Sequence, residues 1–150
     1  VRKEVERVKE QLRRAHEGEA WHGPSLSEIL KRVAPSHADA KPVPKAHSIR
    51  ELLTHILVWE QEAIERLNGG GHPALPPEKD WPEGAPWEEL VARSDEVHRA
   101  LMAVVDDLDD ERLEERVPGN PPTVYDLLHG IVQHNLYHAG QIALLTKAFS

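Results

Sequence analysis

Cysteine is missing altogether from the 150 residues. Its absence excludes disulfides, cysteine-ligated zinc, iron–sulfur clusters and a protein thiol nucleophile, so any sulfur chemistry has to arrive on a small molecule. Long apolar runs are absent too. None approaches the ~20 residues that a bilayer-spanning helix needs, and no membrane partner is expected. Basic runs stop at Arg13-Arg14, and 18 Lys and Arg stand against 26 Asp and Glu, a formal net charge of −8. That balance opposes binding to phosphate backbones, and nucleic acid is not an expected partner. The stretch from Val1 to Glu10 is charged and periodic, unlike a secretory signal, and a cytoplasmic location is the expectation.

Proline is plentiful and shows the organisation. Twelve prolines leave four long proline-free segments, 1–23, 45–72, 87–117 and 123–150. Proline costs about 3 kcal/mol inside a helix, so these gaps are where helices can form. Each gap carries helical rather than alternating periodicity. The first has Val1, Val5, Val8, Leu12 and Ala15. A shorter piece, Leu26, Ile29, Leu30 and Val33, follows Gly23-Pro24. The second long segment reads Ile49, Leu52, Leu53, Ile56, Trp59, Ala63 and Leu67, with Ser48 and Glu51 as a capping box and Gly69-Gly70-Gly71 as its stop. The third begins near Pro86 and offers Leu90, Val97, Leu101, Val104 and Leu108. The fourth begins at Thr123 after Pro121-Pro122 and carries Val124, Leu127, Leu128, Ile131, Ile142 and Leu145. The expected fold is all-α: a four-helix bundle with a long crossover at 69–86 carrying Trp81, and a short extra helix after the first long helix. One domain over 1–150 accounts for the length.

Ten histidines stand out against this composition. His134 and His138 lie one helical turn apart, the spacing at which two imidazoles on one helix share a metal. Ten histidines in 150 residues produce such a pair by chance, so facing matters more than spacing. Counting from Ile131, His138 falls about 20° from the centre of the apolar stripe and His134 about 60°, while His129 points about 160° away, into solvent. His55, between Leu52 and Trp59, sits near the edge of the stripe on the second long helix. Three imidazoles thus converge from two helices. Three neutral imidazoles would leave a divalent ion with an open coordination position, as in a catalytic or ligand-binding site. A di-iron carboxylate centre wants two E-x-x-H pairs, and the chain has one, Glu19 with His22. The D-x-x-H pairs Asp95/His98 and Asp126/His129 face mostly outward. His37, His47 and His72 fall in solvated connections, and His16 and His98 on charged helix faces. His22 is a candidate pocket wall, with a packed turn as the competing reading, and Trp59 is a second candidate wall.

The runs Trp21-His22-Gly23-Pro24-Ser25-Leu26, Ser48-Ile49-Arg50-Glu51-Leu52-Leu53-Thr54-His55 and His134-Asn135-Leu136-Tyr137-His138-Ala139-Gly140-Gln141-Ile142 resemble the DinB-like superfamily of YfiT-type metalloproteins, which is distinct from the similarly named DNA polymerase. The resemblance extends over nearly the whole chain, including Asp80-Trp81-Pro82 and Gly119-Asn120-Pro121-Pro122-Thr123. It implies a four-helix bundle with a mononuclear site formed by His55, His134 and His138, the same three that facing selects. It also implies a homodimer and one divalent metal ion, zinc or nickel first, with iron or manganese as alternatives.

Several proteins of that superfamily are transferases or isomerases using low-molecular-weight thiols such as bacillithiol, mycothiol or glutathione. The resemblance therefore implies a metal-dependent transferase that uses a thiol cosubstrate on small electrophiles, in detoxification or stress response. An open-site metal would lower the pKa of a bound sulfhydryl, and no protein thiol competes for it. Tyr137 and Gln141 neighbour the ligands and are candidates for the pocket or for supporting the histidines. Tyr137, about 120° off the stripe, would alternatively face a subunit interface. Two other readings stand beside the transferase: a non-catalytic metal-binding homodimeric module, and a metal-dependent hydrolase. The hydrolase needs a base, for which Glu51 and Glu60 are the nearest acids in sequence, neither clearly inward. Arg50, Lys45 and Lys41 are the cations available to an acidic thiol.

Overall fold

The computed structural model describes residues 3–120 and 122–149. Val1, at the head of the first expected stripe, and Pro121, before the last helix, lie outside the described residues. The described residues form six α-helices: α1 (Glu4–His16), α2 (Leu26–Leu30), α3 (Ile49–Leu67), α4 (Pro77–Asp80), α5 (Trp87–Asp106) and α6 (Val124–Thr146). Short 3-10 turns cover Pro35–His37, Asp110–Glu114 and Lys147–Phe149. Strands are absent among the described residues, and the protein is all-helical. None of these helices is long and apolar enough to cross a membrane.

Local chemistry sets the helix starts. At both α2 and α3 a serine hydroxyl accepts from the backbone three residues on, while the glutamate there accepts from the serine's own N–H: Ser25 with Glu28, and Ser48 with Glu51. Each box satisfies two amides that have no partner inside the helix. Pro86 precedes α5, and Thr123 caps α6 by accepting from Asp126 N. The first long helix ends at His16, earlier than the proline-free segment allows, because Gly18 and Glu19 turn the chain with positive φ.

The long helices α1, α3, α5 and α6 pack so that α1 and α3 each contact both α5 and α6. Their inward faces, together with that of α2, form two apolar clusters. One gathers Leu26, Ile29, Leu53, Ile56, Leu90 and Ile142; the other gathers Val8, Leu12, Ala63, Leu101, Leu128 and Ile131. Burying each such Leu, Ile or Val side chain contributes about 1.5–3 kcal/mol, against at most about 1 kcal/mol for an exposed ion pair like Arg7–Glu4. The clusters therefore hold the fold. Between them the sequence turns polar on three helices: Glu60 on α3, Ser94 and His98 on α5, and His134, Asn135 and His138 on α6. All but His134 are buried.

His16 and His98 correct the expectation of charged, outward faces. Each is 3% exposed, and their rings stack at 4.0 Å between α1 and α5. His16 Nε2 pairs with Asp95 and His98 Nε2 with Glu17, so each ring reaches a carboxylate next to the other histidine. Burial, reinforced by the His16 ring, pushes the His98 pKa down to about 4.

The connection from α3 to α5 is fastened to α3 at both ends. Near its start, Glu62 accepts from His72 N at 2.6 Å and from Arg66 Nε at 3.0 Å, and Arg66 donates to the His72 carbonyl. Gly71 takes φ +83° there, and a Cβ at that position would meet Arg66 Cγ at 2.6 Å. Further on, Trp59 Nε1 donates to Asp80 at 2.8 Å and Arg50 donates to the Gly84 carbonyl at 2.9 Å. His72, expected in solvent, is half-buried and donates Nδ1–H to Glu62.

Candidate metal centre

His55 enters from the buried face of α3, and His134 and His138 from successive turns of α6. Their ring centroids form a nearly equilateral triangle of 4.9, 4.8 and 4.6 Å. One nitrogen from each lies within 4.8 Å of the other two. The Nε2 atoms of His55 and His134 are 3.0 Å apart.

Neighbouring oxygens fix two of the tautomers. His55 Nδ1 lies 2.9 Å from the Asp80 carbonyl, which can only accept, so Nδ1 carries the hydrogen and Nε2 keeps its lone pair. The Asp80 carboxylate, 3.2 Å from the same nitrogen, supports that assignment. His138 Nδ1 donates to Gln141 Oε1 at 2.6 Å, which again leaves Nε2 bare. Oxygen acceptors behind the histidines are the usual support of a metal centre, since they orient the ring and raise its basicity. His134 Nδ1 is buried without a partner.

Electrostatics favour the neutral form of both α6 histidines. Burial, with the His138 and His55 rings adding to it, pushes the His134 pKa down to about 3, and burial also lowers that of His138. Metal ligation requires the neutral imidazole, so at pH 7 these nitrogens are available. Convergent lone pairs with no acid or thiol among them fit a divalent cation of the zinc, nickel or iron type and leave it with its full charge.

Aromatic walls surround the triangle. Trp81 stacks on His55 at 3.8 Å and on His47 at 3.6 Å, so the indole is sandwiched between two imidazoles. His47, expected in a solvated connection, is exposed in one and also backs this wall. Trp59 stands edge-on to His134 at 6.1 Å and is held by Asp80 and by the Arg66 guanidinium 5.6 Å from its ring. Tyr137 is 66% exposed with its ring 5.1 Å from that of His138. His22 lies elsewhere: it is exposed and bonds the Pro24 carbonyl two residues on. His129 is not a surface residue; it is half-buried, with the Tyr125 ring at 4.3 Å.

Two cavities reach the triangle. One of about 490 Å³ touches His138, Gln141, Tyr137 and Trp81; another of about 200 Å³ touches His134, Trp59 and Ile131. A second cluster, Glu62, Glu65 and His72, also brings three possible ligands together. Its central carboxylate is already committed to Arg66 and His72, so the histidine triangle is the stronger candidate.

The sequence matches the family model of the DinB superfamily over residues 9–142. The chain belongs to the DinB superfamily. A search of curated proteins returns no match. Membership in the DinB superfamily agrees with the motifs around His55 and His138, and the matched span contains all three histidines, Asp80 and Gln141.

Two oxygen acceptors had no expected role from sequence reasoning or only a general one. Asp80 comes from a connection without periodicity, so nothing local in the sequence ties it to His55. Gln141, three residues after His138, lies within one-turn reach and was legible as a neighbour. Gln141→Ala removes the acceptor for His138 Nδ1, and metal affinity is expected to fall about 10–100-fold, read by competition against a chromophoric chelator. An unchanged affinity would show that Gln141 does not orient the ligand.

Proposed function

We propose that this DinB superfamily member is a metal-dependent transferase that uses a low-molecular-weight thiol on small electrophiles, in detoxification or stress response. His55, His134 and His138 are the residues that would hold the metal, zinc or nickel first among the ions that imidazole suits, with iron or manganese as alternatives. The observation that carries the reading is the donor set: three converging imidazoles, with no carboxylate and no protein sulfur among them. When bound there, a divalent ion supplies a Lewis acid with an open position at which a small-molecule thiol is acidified.

The chain's own residues supply orientation and shielding. Asp80 and Gln141 hold two imidazole tautomers, and the stacked Trp81 and His47 rings limit the approach of water to His55. The four long helices, each packed against two others, are read as a four-helix bundle with 69–86 as its crossover, in one domain. A hydrolytic centre would need a carboxylate base facing the cavities. Glu60 proves to be inward, but it bonds Asn135 and lines neither cavity, which weighs against that reading.

Cobalt-substituted protein tests the proposal. Glutathione or bacillithiol at millimolar concentration is expected to add a sulfur-to-cobalt charge-transfer band and shift the visible bands. A spectrum that no thiol perturbs would sink the transferase reading.

A further inference from the structure

We infer that the cleft beside His138 binds an uncharged apolar body, aryl or branched alkyl, and that this is the electrophile's subsite rather than the thiol's. Calling the occupant a substrate rests on the function proposed above; its apolar character rests on the cleft alone.

Five large apolar side chains are left exposed among the described residues: Trp21, Val43, Tyr125, Tyr137 and Leu144. Three of them, Val43, Tyr137 and Leu144, ring this one cleft. Scattered exposed hydrophobics need no explanation, but a cluster around a concavity marks a binding site. Leu52, Leu145 and the Trp81 indole line the interior. No carboxylate lines the cleft, and its one fully charged side chain, Lys45, is exposed. Its volume of about 490 Å³ falls in the range of small-molecule sites, which are mostly apolar with a few polar groups at one end. Here those groups are His138 and Gln141, with Lys45 and His47 also in the lining at exposed positions. An occupant is thus delivered to the histidine triangle, while any acidic group it carries would be met only by exposed cations. That continuity argues for a small molecule over a second protein surface.

The same lining disfavours the thiol. Glutathione and the sugar thiols carry carboxylate, ammonium or hydroxyl groups, and placing these against Leu52, Leu144 and Leu145 would strip them of water without return. An apolar electrophile loses nothing there. The two reactants would then meet at the triangle, with only one of them filling the cleft.

The test uses the full chain, as purified and again after chelation, titrated with 4-methyl-, 4-ethyl-, 4-propyl- and 4-butylphenol at pH 7. Binding is followed by amide and indole shifts in 15N-labelled protein. Shifts at Leu52, Trp81 and Gln141 are expected, with affinity rising roughly three- to four-fold per methylene until the cleft is filled. Leu144→Asp, at an exposed position, should weaken 4-butylphenol about ten-fold, and Trp21→Ser, at an exposed position outside the cleft, should not. Glutathione should leave the Leu52 and Leu145 amides unmoved. Affinity independent of chain length, equal binding by Leu144→Asp, shifts mapping elsewhere, or glutathione moving those amides would each overturn the proposal. So would a wild-type dimer that Leu144→Asp makes monomeric while the phenols fail to bind, since the cleft would then be a subunit contact. The cobalt spectrum reads the thiol without an apolar ligand, and the phenol series reads the cleft without a metal, so either reading can fail alone.

Discussion

Protein purified without a tag or chelator is expected to carry about one divalent metal per chain, and a His134→Ala/His138→Ala variant next to none. The argument starts from the His55 and His134 Nε2 atoms, 3.0 Å apart in a site from which the aromatic rings exclude much of the solvent. Asp80 and Gln141 take the Nδ1 hydrogens of His55 and His138, so both Nε2 atoms keep free lone pairs, and that of His55 faces His134 Nε2. A cation gives all three rings a partner at once. Metal present at a thousand times its Kd would stabilise the folded chain by about 4 kcal/mol. At roughly 2–4 °C per kcal/mol for a chain of this size, chelation should lower the wild-type Tm by about 8–16 °C. The variant's Tm should ignore the chelator. Elemental analysis and calorimetry read both. Equal metal in the two proteins, or a wild type that neither carries metal nor takes it up, would make the histidines packing residues.

The helices were legible because their signals are local. Ser48 with Glu51, the Pro86 and Thr123 starts, and the apolar spacing of α3 and α6 all lie within a few residues of what they determine. The three histidines were legible for the same reason: each sits on or beside an apolar stripe, where an imidazole is out of place without a partner. Trp81, Asp80 and His47 were not legible as parts of one wall. They come from segments without periodicity and meet His55 only when the crossover folds back on α3. His16 and His98 were misread because their sequence neighbours are charged. Each carboxylate in fact covers the histidine of the opposite helix, a pairing that single-helix periodicity cannot contain.

Glu60 was misread by the same route, and it carries the second large effect. It is 1% exposed at the junction of the two apolar clusters, where the α3 stripe passes from one to the other. Asn135 Nδ2 donates to its Oε1 at 2.6 Å, but Glu60 Oε2 and Asn135 Oδ1 are both buried with no partner. Both are acceptors, and a proton on the carboxyl supplies the one donor the pair lacks. Burial pushes the Glu60 pKa up to about 7, and the Asn135 hydrogen bond opposes it only in part. Between about pH 4.5 and 7 the folded state therefore holds more proton than the unfolded state. The contribution to stability is full below that window and is lost as pH rises through it, by at most about 3 kcal/mol. Glu60→Gln keeps the shape and provides the missing N–H at every pH. In chelated protein the variant is expected to match wild type within about 1 kcal/mol near pH 4.5 and to exceed it by up to about 3 kcal/mol at pH 8, a Tm gain of roughly 6–12 °C. Taking the difference between the two proteins removes the opposing contribution of His98 and His134, which disfavour the folded state as pH falls below about 6.5. A Tm difference that does not grow with pH would mean that Glu60 is ionised in the fold, and its charge would then need a partner other than Asn135.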